Sequence, residues 1–208
     1  MRKRMGQTIQ SSLKENQSLY VFTIVLFAMG VIFGAIIVNS LTLSQKQDLF
    51  GFLQYFFKNM SQNGIPDPNE HFGQAMGYYL KTVGIMWLFG LSIIGVPIIL
   101  LMLFLKGIVI GFTVGFLVNQ FQWQGMTFSL AGVLPQNMLI VPAFILIGVA
   151  GISFSLRLIR TRLLSHRDEI WPHFIRYSLL IVSMVAVLTV AALFESYVSP
   201  TIMKYVIH

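Results

Sequence analysis

The chain contains no cysteine, which excludes disulfides, thiolate catalysis and thiolate-ligated metal. It is also poor in charge: 10% of its residues are Asp, Glu, Lys or Arg, against roughly one quarter in a soluble domain. The longest absence covers 107–156, fifty residues without one Asp, Glu, Lys, Arg or His, closed by Lys106 and Arg157. As one helix this run would be about 75 Å long, whereas a bilayer core is ~30 Å thick and needs ~20 apolar residues. Two crossings use it up if the chain turns at 119–125 or at 134–137. Its basic ends then share one side, and basic flanks favour the cytoplasm.

What is present agrees. With 56% apolar residues the chain reads as an integral membrane protein, all-α, a polytopic transmembrane helical bundle forming a single domain over 1–208. The formal charge of +7 sits at span ends rather than in an aromatic-interleaved patch, which points to topology and membrane lipid and away from nucleic acid. Arg2, Lys3 and Arg4 precede an apolar run over 19–43. That run is longer than a signal h-region and lacks a clean small-x-small end, so it is read as a retained first span.

The pattern predicts a cytoplasmic arm over 1–18 and span one at about 19–41. An outer segment follows over 42–80, in which Leu49, Phe50, Leu53, Phe56 and Phe57 recur at helical spacing like an interfacial helix. Span two is expected at about 82–105. Span three is expected to begin at Gly107, with Gly107, Gly111 and Gly115 along one face that admits a close neighbour; this face reads as internal packing before a homodimer seam. Residues 126–136 are too few to cross and read as a re-entrant half-helix that stops at Pro135. Span four is expected at about 138–158, then a basic loop over 159–175, then span five ending near Glu195. The expected topology is five crossings plus the half-helix, amino terminus in and carboxyl terminus out. Ten of the fourteen Lys and Arg, Lys106 among them, then fall on the cytoplasmic side.

Chemistry is scarce. Glu195 is the clearest ionisable group within a span, where burial is costly; it sits at the outer interface, pairs with Lys81, or bonds broken-helix backbone. His71, His166, His173 and His208 lack the close pairing that a metal site needs. No phosphate loop, nucleophile elbow or paired carboxylates occur in a fitting context, so neither a catalytic site nor a cofactor or metal is expected. Arg157, Arg160, Arg162, Arg167 and Trp171 either anchor topology on anionic lipid or dock a cytoplasmic partner.

Leu134, Pro135, Gln136 and Asn137, then Pro142, Ala143, Phe144, Gly148 and Gly151, and finally Ala191, Ala192, Glu195 and Pro200, form a pattern over nearly the whole chain. It resembles the stage II sporulation protein M family. Lys58, Asn59 and the Lys106, Gly107 pair fit as well. The family pattern departs at Gln136 and Ile140, where a histidine and a glutamate would stand. The resemblance implies a non-catalytic membrane scaffold acting at engulfment in endospore formation. It would anchor stage II sporulation proteins D and P, the hydrolases that degrade septal peptidoglycan, at the sporulation septum and engulfing membrane. The competing class is a transport-type membrane subunit coupled to a cytoplasmic ATPase.

Overall fold

A computed structural model describes residues 17–62, 67–163 and 170–198. Six α-helices and two π-helical segments make up the described chain: α1 Gln17–Ser40, α2 Leu43–Gln62, α3 Pro68–Gly90, α4 Gly95–Phe128, a π segment Ser129–Val133, α5 Leu134–Leu163, α6 Ile170–Leu193 and a second π segment Phe194–Val198. Four stretches are each long and apolar enough to cross a membrane: Gln17–Ser40, Gly95–Thr127, Leu134–Thr161 and Ile170–Val198. The polytopic helical bundle read from composition is therefore the fold.

Local chemistry sets the helix starts. Thr42 and Gln45 form a reciprocal capping box at α2, Thr42 N–H donating to Gln45 Oε1 at 3.0 Å and Gln45 N–H to Thr42 Oγ1 at 3.4 Å. At α3 the Asp67 carboxylate accepts from Asn69 N–H at 3.0 Å, and Pro68 takes the first helical position.

The expected span over 82–105 is divided. The chain turns at 91–94, where Ser92 Oγ accepts from Ile94 N–H at 3.3 Å and Gly95 N–H donates to Ser92 O at 3.1 Å. Gly95 is required there, since a Cβ would strike the Phe89 carbonyl. Pro97 follows in the first turn of α4, where a missing N–H costs nothing. So α4 starts twelve residues before Gly107, and Lys106 lies mid-helix rather than at a cytoplasmic end.

Of the two expected turns, the structure uses the first. Gln122 has φ 50° and ψ −120°, breaking α4 near its end, and Gly125 lies so close to Leu117 and Val118 that a Cβ would strike the Leu117 carbonyl. The expected half-helix over 126–136 is helical but does not stop at Pro135. It passes through the first π segment straight into α5. A π turn widens the ladder where the proline withholds its N–H, and Asn137 Nδ2 donates to the Val133 carbonyl at 2.7 Å.

Two packing units build the bundle. In one, α1 runs alongside α4 through glycines: added Cβ atoms at Gly30, Gly34, Gly107 and Gly111 would meet backbone of the other helix. In the other, α3, α4, α5 and α6 enclose the core, with Met86, Ile99, Leu103, Phe144, Ile147, Ile152 and Leu188 fully buried. Helix α2 meets the bundle through Phe50, whose ring lies 5.9 Å from that of Phe121.

Candidate functional site: a polar cavity at membrane depth

Helix α3 joins the end of the expected outer segment over 42–80 to the start of the expected second span, and it carries Asn69, Glu70, His71, Gln74 and Lys81. Its ties fix its level. At one end Tyr197 Oη donates to Asn69 Oδ1 at 2.9 Å. Toward the other, Tyr177 Oη is shared between the Met86 and Trp87 carbonyls at 3.4 Å each. Twenty residues of α6 and its π segment, about 30 Å at 1.5 Å per residue, thus run beside α3 from end to end. That is the thickness of the hydrocarbon core. Beyond the second tie, Ser155 Oγ donates to Ser92 O at 2.7 Å, and Arg157 lies 2.9 Å from His173 Nε2. Helix α3 therefore crosses the same slab as its apolar neighbours.

Between α3 and α4 lies a cavity of about 640 Å³. Helix α3 lines it with His71, Ala75, Tyr78, Tyr79 and Thr82; α4 with Met102, Leu105, Lys106, Val109, Ile110 and Thr113. Both sets keep three- and four-residue steps, one face of each helix. Val133, Gln136, Asn137 and Ile140 back it, and Glu195 closes it from the second π segment.

Lys106 is the one charge between Lys81 and Arg157. Its depth follows from α1 as well: Gly30, near the middle of a 24-residue helix, abuts Gly107. A lysine at the bilayer centre costs about 3 kcal/mol, and the structure meets that cost with ring faces. Lys106 Nζ is 3.8 Å from the Phe144 centroid, 5.0 Å from that of Tyr78 and 5.7 Å from that of Tyr79. Tyr79 is also the link to the acid, its hydroxyl donating to Glu195 Oε2 at 2.5 Å. Ammonium, phenol and carboxylate thus join α4, α3 and the end of α6. Among the described residues His71 Nδ1 is buried there without a hydrogen-bond partner.

The expected motif residues divide between this cavity and other places. Gln136, Asn137 and Glu195 line it, as does Ile140, so both departures from the family pattern fall on its wall. Pro135 is half-buried at the start of α5, and Pro142 lies exposed within α5. Gly107, Gly111 and Gly115 face α1 of the same chain. At the opposite end Arg157 contacts His173, while Arg160 is exposed and Trp171 is 69% exposed, stacked on Phe174. Arg162 belongs to α5. Arg167 and Pro200 lie outside the described residues, as do residues 1–16 of the arm and 164–169 of the basic loop.

Sequence reasoning missed Tyr79 and misplaced Lys106. The signal for Lys106 was its isolation: a lone charge with 24 and 50 uncharged residues on its two sides cannot mark a boundary of every span it touches. Tyr79 gave none, being one of two adjacent tyrosines on a helix of mixed polarity. Among the described residues no group of three or more His, Asp or Glu is placed to hold a metal ion.

No curated protein and no solved structure matches the chain. Residues 23–200 match the family model described as Stage II sporulation protein M. With that match spanning most of the sequence, over all the helices that enclose the cavity, the chain belongs to the stage II sporulation protein M family.

Proposed function

We propose that this chain, a sporulation membrane protein by its family and its four apolar helices, is a non-catalytic scaffold which anchors and localises a septal peptidoglycan-degrading complex, with stage II sporulation proteins D and P, at the septum and the engulfing membrane.

The observation that carries the reading is α2. It is a 20-residue amphipathic helix at the end of the bundle marked by Trp123, which is 82% exposed, and its Phe52 and Tyr55 are bare. An amphipathic helix of this kind lies in an interface or offers its face to a partner. The basic residues Arg157 and Arg160 crowd the other end, which the positive-inside rule gives to the cytoplasm. That leaves α2 on the side where peptidoglycan lies. The charged groups that line the cavity, Lys106 and Glu195, are engaged with aromatic rings and a phenol, an arrangement that fixes helices to one another.

The test is recovery of both hydrolases with detergent-solubilised, tagged chain from sporulating cells, native against a chain whose residues 43–62 are a neutral linker. Both hydrolases should accompany the native chain and be lost with the replacement, provided it still reaches the membrane. Retention after replacement overturns the reading. The cavity favours a second reading, a transport-type subunit whose cytoplasmic ATPase docks on Arg157, Arg160, Arg162, Arg167 and Trp171. Recovery of an ATPase without either hydrolase would put that reading first.

A further inference from the structure

Lys106 is accommodated by its cavity; Lys81 is not. It lies in α3, twelve residues from Asn69 and nine from Gly90, about 18 Å and 14 Å along the axis, and it is exposed. Tyr79, two residues earlier, is level with Lys106 at mid-bilayer. Among the described residues the Lys81 ammonium has neither a hydrogen-bond nor an ion-pair partner. Snorkelling gives little relief. Helical side chains lean toward the helix N-terminus, and for α3 that is the farther boundary.

The surface around it is equally unfinished. Lys81 shares a face with Gly73, Gly77, Gly84 and Leu88, and added Cβ atoms at these three glycines would meet nothing within 4 Å. This contrasts with the glycines of α1 and α4, which are already filled by each other's backbone. The Lys81 face is turned away from the cavity, whose α3 lining is His71, Ala75, Tyr78, Tyr79 and Thr82.

We propose that this face of α3 is the seat of a membrane-spanning helix from a different protein, carrying an aspartate or glutamate that pairs with Lys81 at mid-bilayer. An unpaired ammonium in hydrocarbon is unfavourable, and a carboxylate at the same depth neutralises it. The open glycines allow the backbone approach that such a pair needs. A second copy of this chain does not fit, because a two-fold contact on this face sets Lys81 against Lys81. The proposal goes beyond the scaffold reading and concerns a contact within the bilayer, separate from α2. It holds equally for a transport assembly.

The test is photo-crosslinking in sporulating cells, with a photoreactive residue at Gly77 or Leu88 on this face and at Ile36, exposed on α1, as reference. Adducts at 77 and 88 should exceed those at 36 and map to a membrane helix bearing Asp or Glu. Lys81→Glu should cut them roughly tenfold or more, Lys81→Arg should keep them, and lysine at the partner's acidic position should restore them with Lys81→Glu. Adducts no stronger than at 36, adducts to lipid or to a second copy alone, or full yield with Lys81→Gln would overturn the proposal. A folding defect is separated by a cross-link between Asn39→Cys and Asn119→Cys, which reports the α1 and α4 pairing and should be unchanged in every Lys81 variant.

Discussion

The pairing of α1 with α4 makes a sharp prediction at Gly111. An added Cβ there would collide with the Val31 carbonyl oxygen, and would stand 2.7 Å from the Val31 carbonyl carbon and 2.8 Å from its Cα. Carbon atoms pack best at about 3.5–4.0 Å, so Gly111→Ala requires the helices to part by about 1 Å. Backbone cannot swing aside as a side chain can. A gap of 0.5–1 Å forfeits roughly a quarter to a half of each contact along the seam, and over-packing of this kind costs about 1–3 kcal/mol. Helix α1 has α4 as its principal neighbour, with a smaller contact to α5, so this seam carries most of what holds it in place. The absence of native cysteine supplies the assay. Asn119 Nδ2 lies 3.5 Å from Asn39 Oδ1, so Asn39→Cys with Asn119→Cys should be joined within one chain by a short bifunctional maleimide. Gly111→Ala and Gly34→Ala should lower both that yield and the melting temperature in detergent. Gly115→Ala should do so least, because its Cβ would meet Ala35 Cα at 3.0 Å without a harder contact. Undiminished yield in Gly111→Ala, or a cross-link that runs as a dimer, would refute an internal seam.

Three further outcomes follow from the cavity, the turn and the α3 terminus. Tyr79→Phe removes a hydrogen bond to a charged acceptor, worth about 2 kcal/mol, while Glu195→Gln keeps an accepting oxygen and should cost less; equal losses of melting temperature would speak against the bond. Gln122→Gly should raise the melting temperature, since φ 50°, ψ −120° is the glycine position of a type II′ turn and relief of such strain is worth about 1–2 kcal/mol; a neutral or destabilised variant would deny the strain. Gly90→Ala should be strongly destabilising, because its Cβ would strike the Tyr177 hydroxyl. Tyr177→Phe should restore part of that loss, and purely additive effects in the double-mutant cycle would contradict the contact.

The membrane class and the return of the chain near Gln122 were legible because both depend on long-range composition. Fifty uncharged residues cannot be placed in water or used up by one crossing, whatever their contacts. The seam was legible as well, since Gly107, Gly111 and Gly115 declare a close approach by spacing alone. The boundary between α3 and α4 was not, because Leu91 to Ile94 are as apolar as the helices they join and the turn is made by Ser92 and by the need for glycine at 95. Pro135 misled for a related reason. A proline normally ends the helix before it, but here a π turn absorbs the lost donor, and a π turn has no sequence signature.

Lys106 and Lys81 show why counting basic residues places charge poorly in this chain. The positive-inside rule assumes that a lysine near an apolar run lies at its end, and with that assumption Lys106 became a cytoplasmic flank. Position in the bilayer is decided by what meets the charge. Phe144, Tyr78 and Tyr79 come from two different helices, and Glu195 from a third element more than fifty residues further along, so no local window contains the site that lets Lys106 lie at mid-depth. Lys81 has no such shell within the described residues. It lies within a few residues of the same level, on a helix fixed there by Asn69 at one end and the Met86 carbonyl near the other, and the proposal assigns its counter-charge to a partner helix. The two lysines thus divide the work of the bundle: one charge is satisfied within and holds the helices together, and the other is left for a second protein to satisfy.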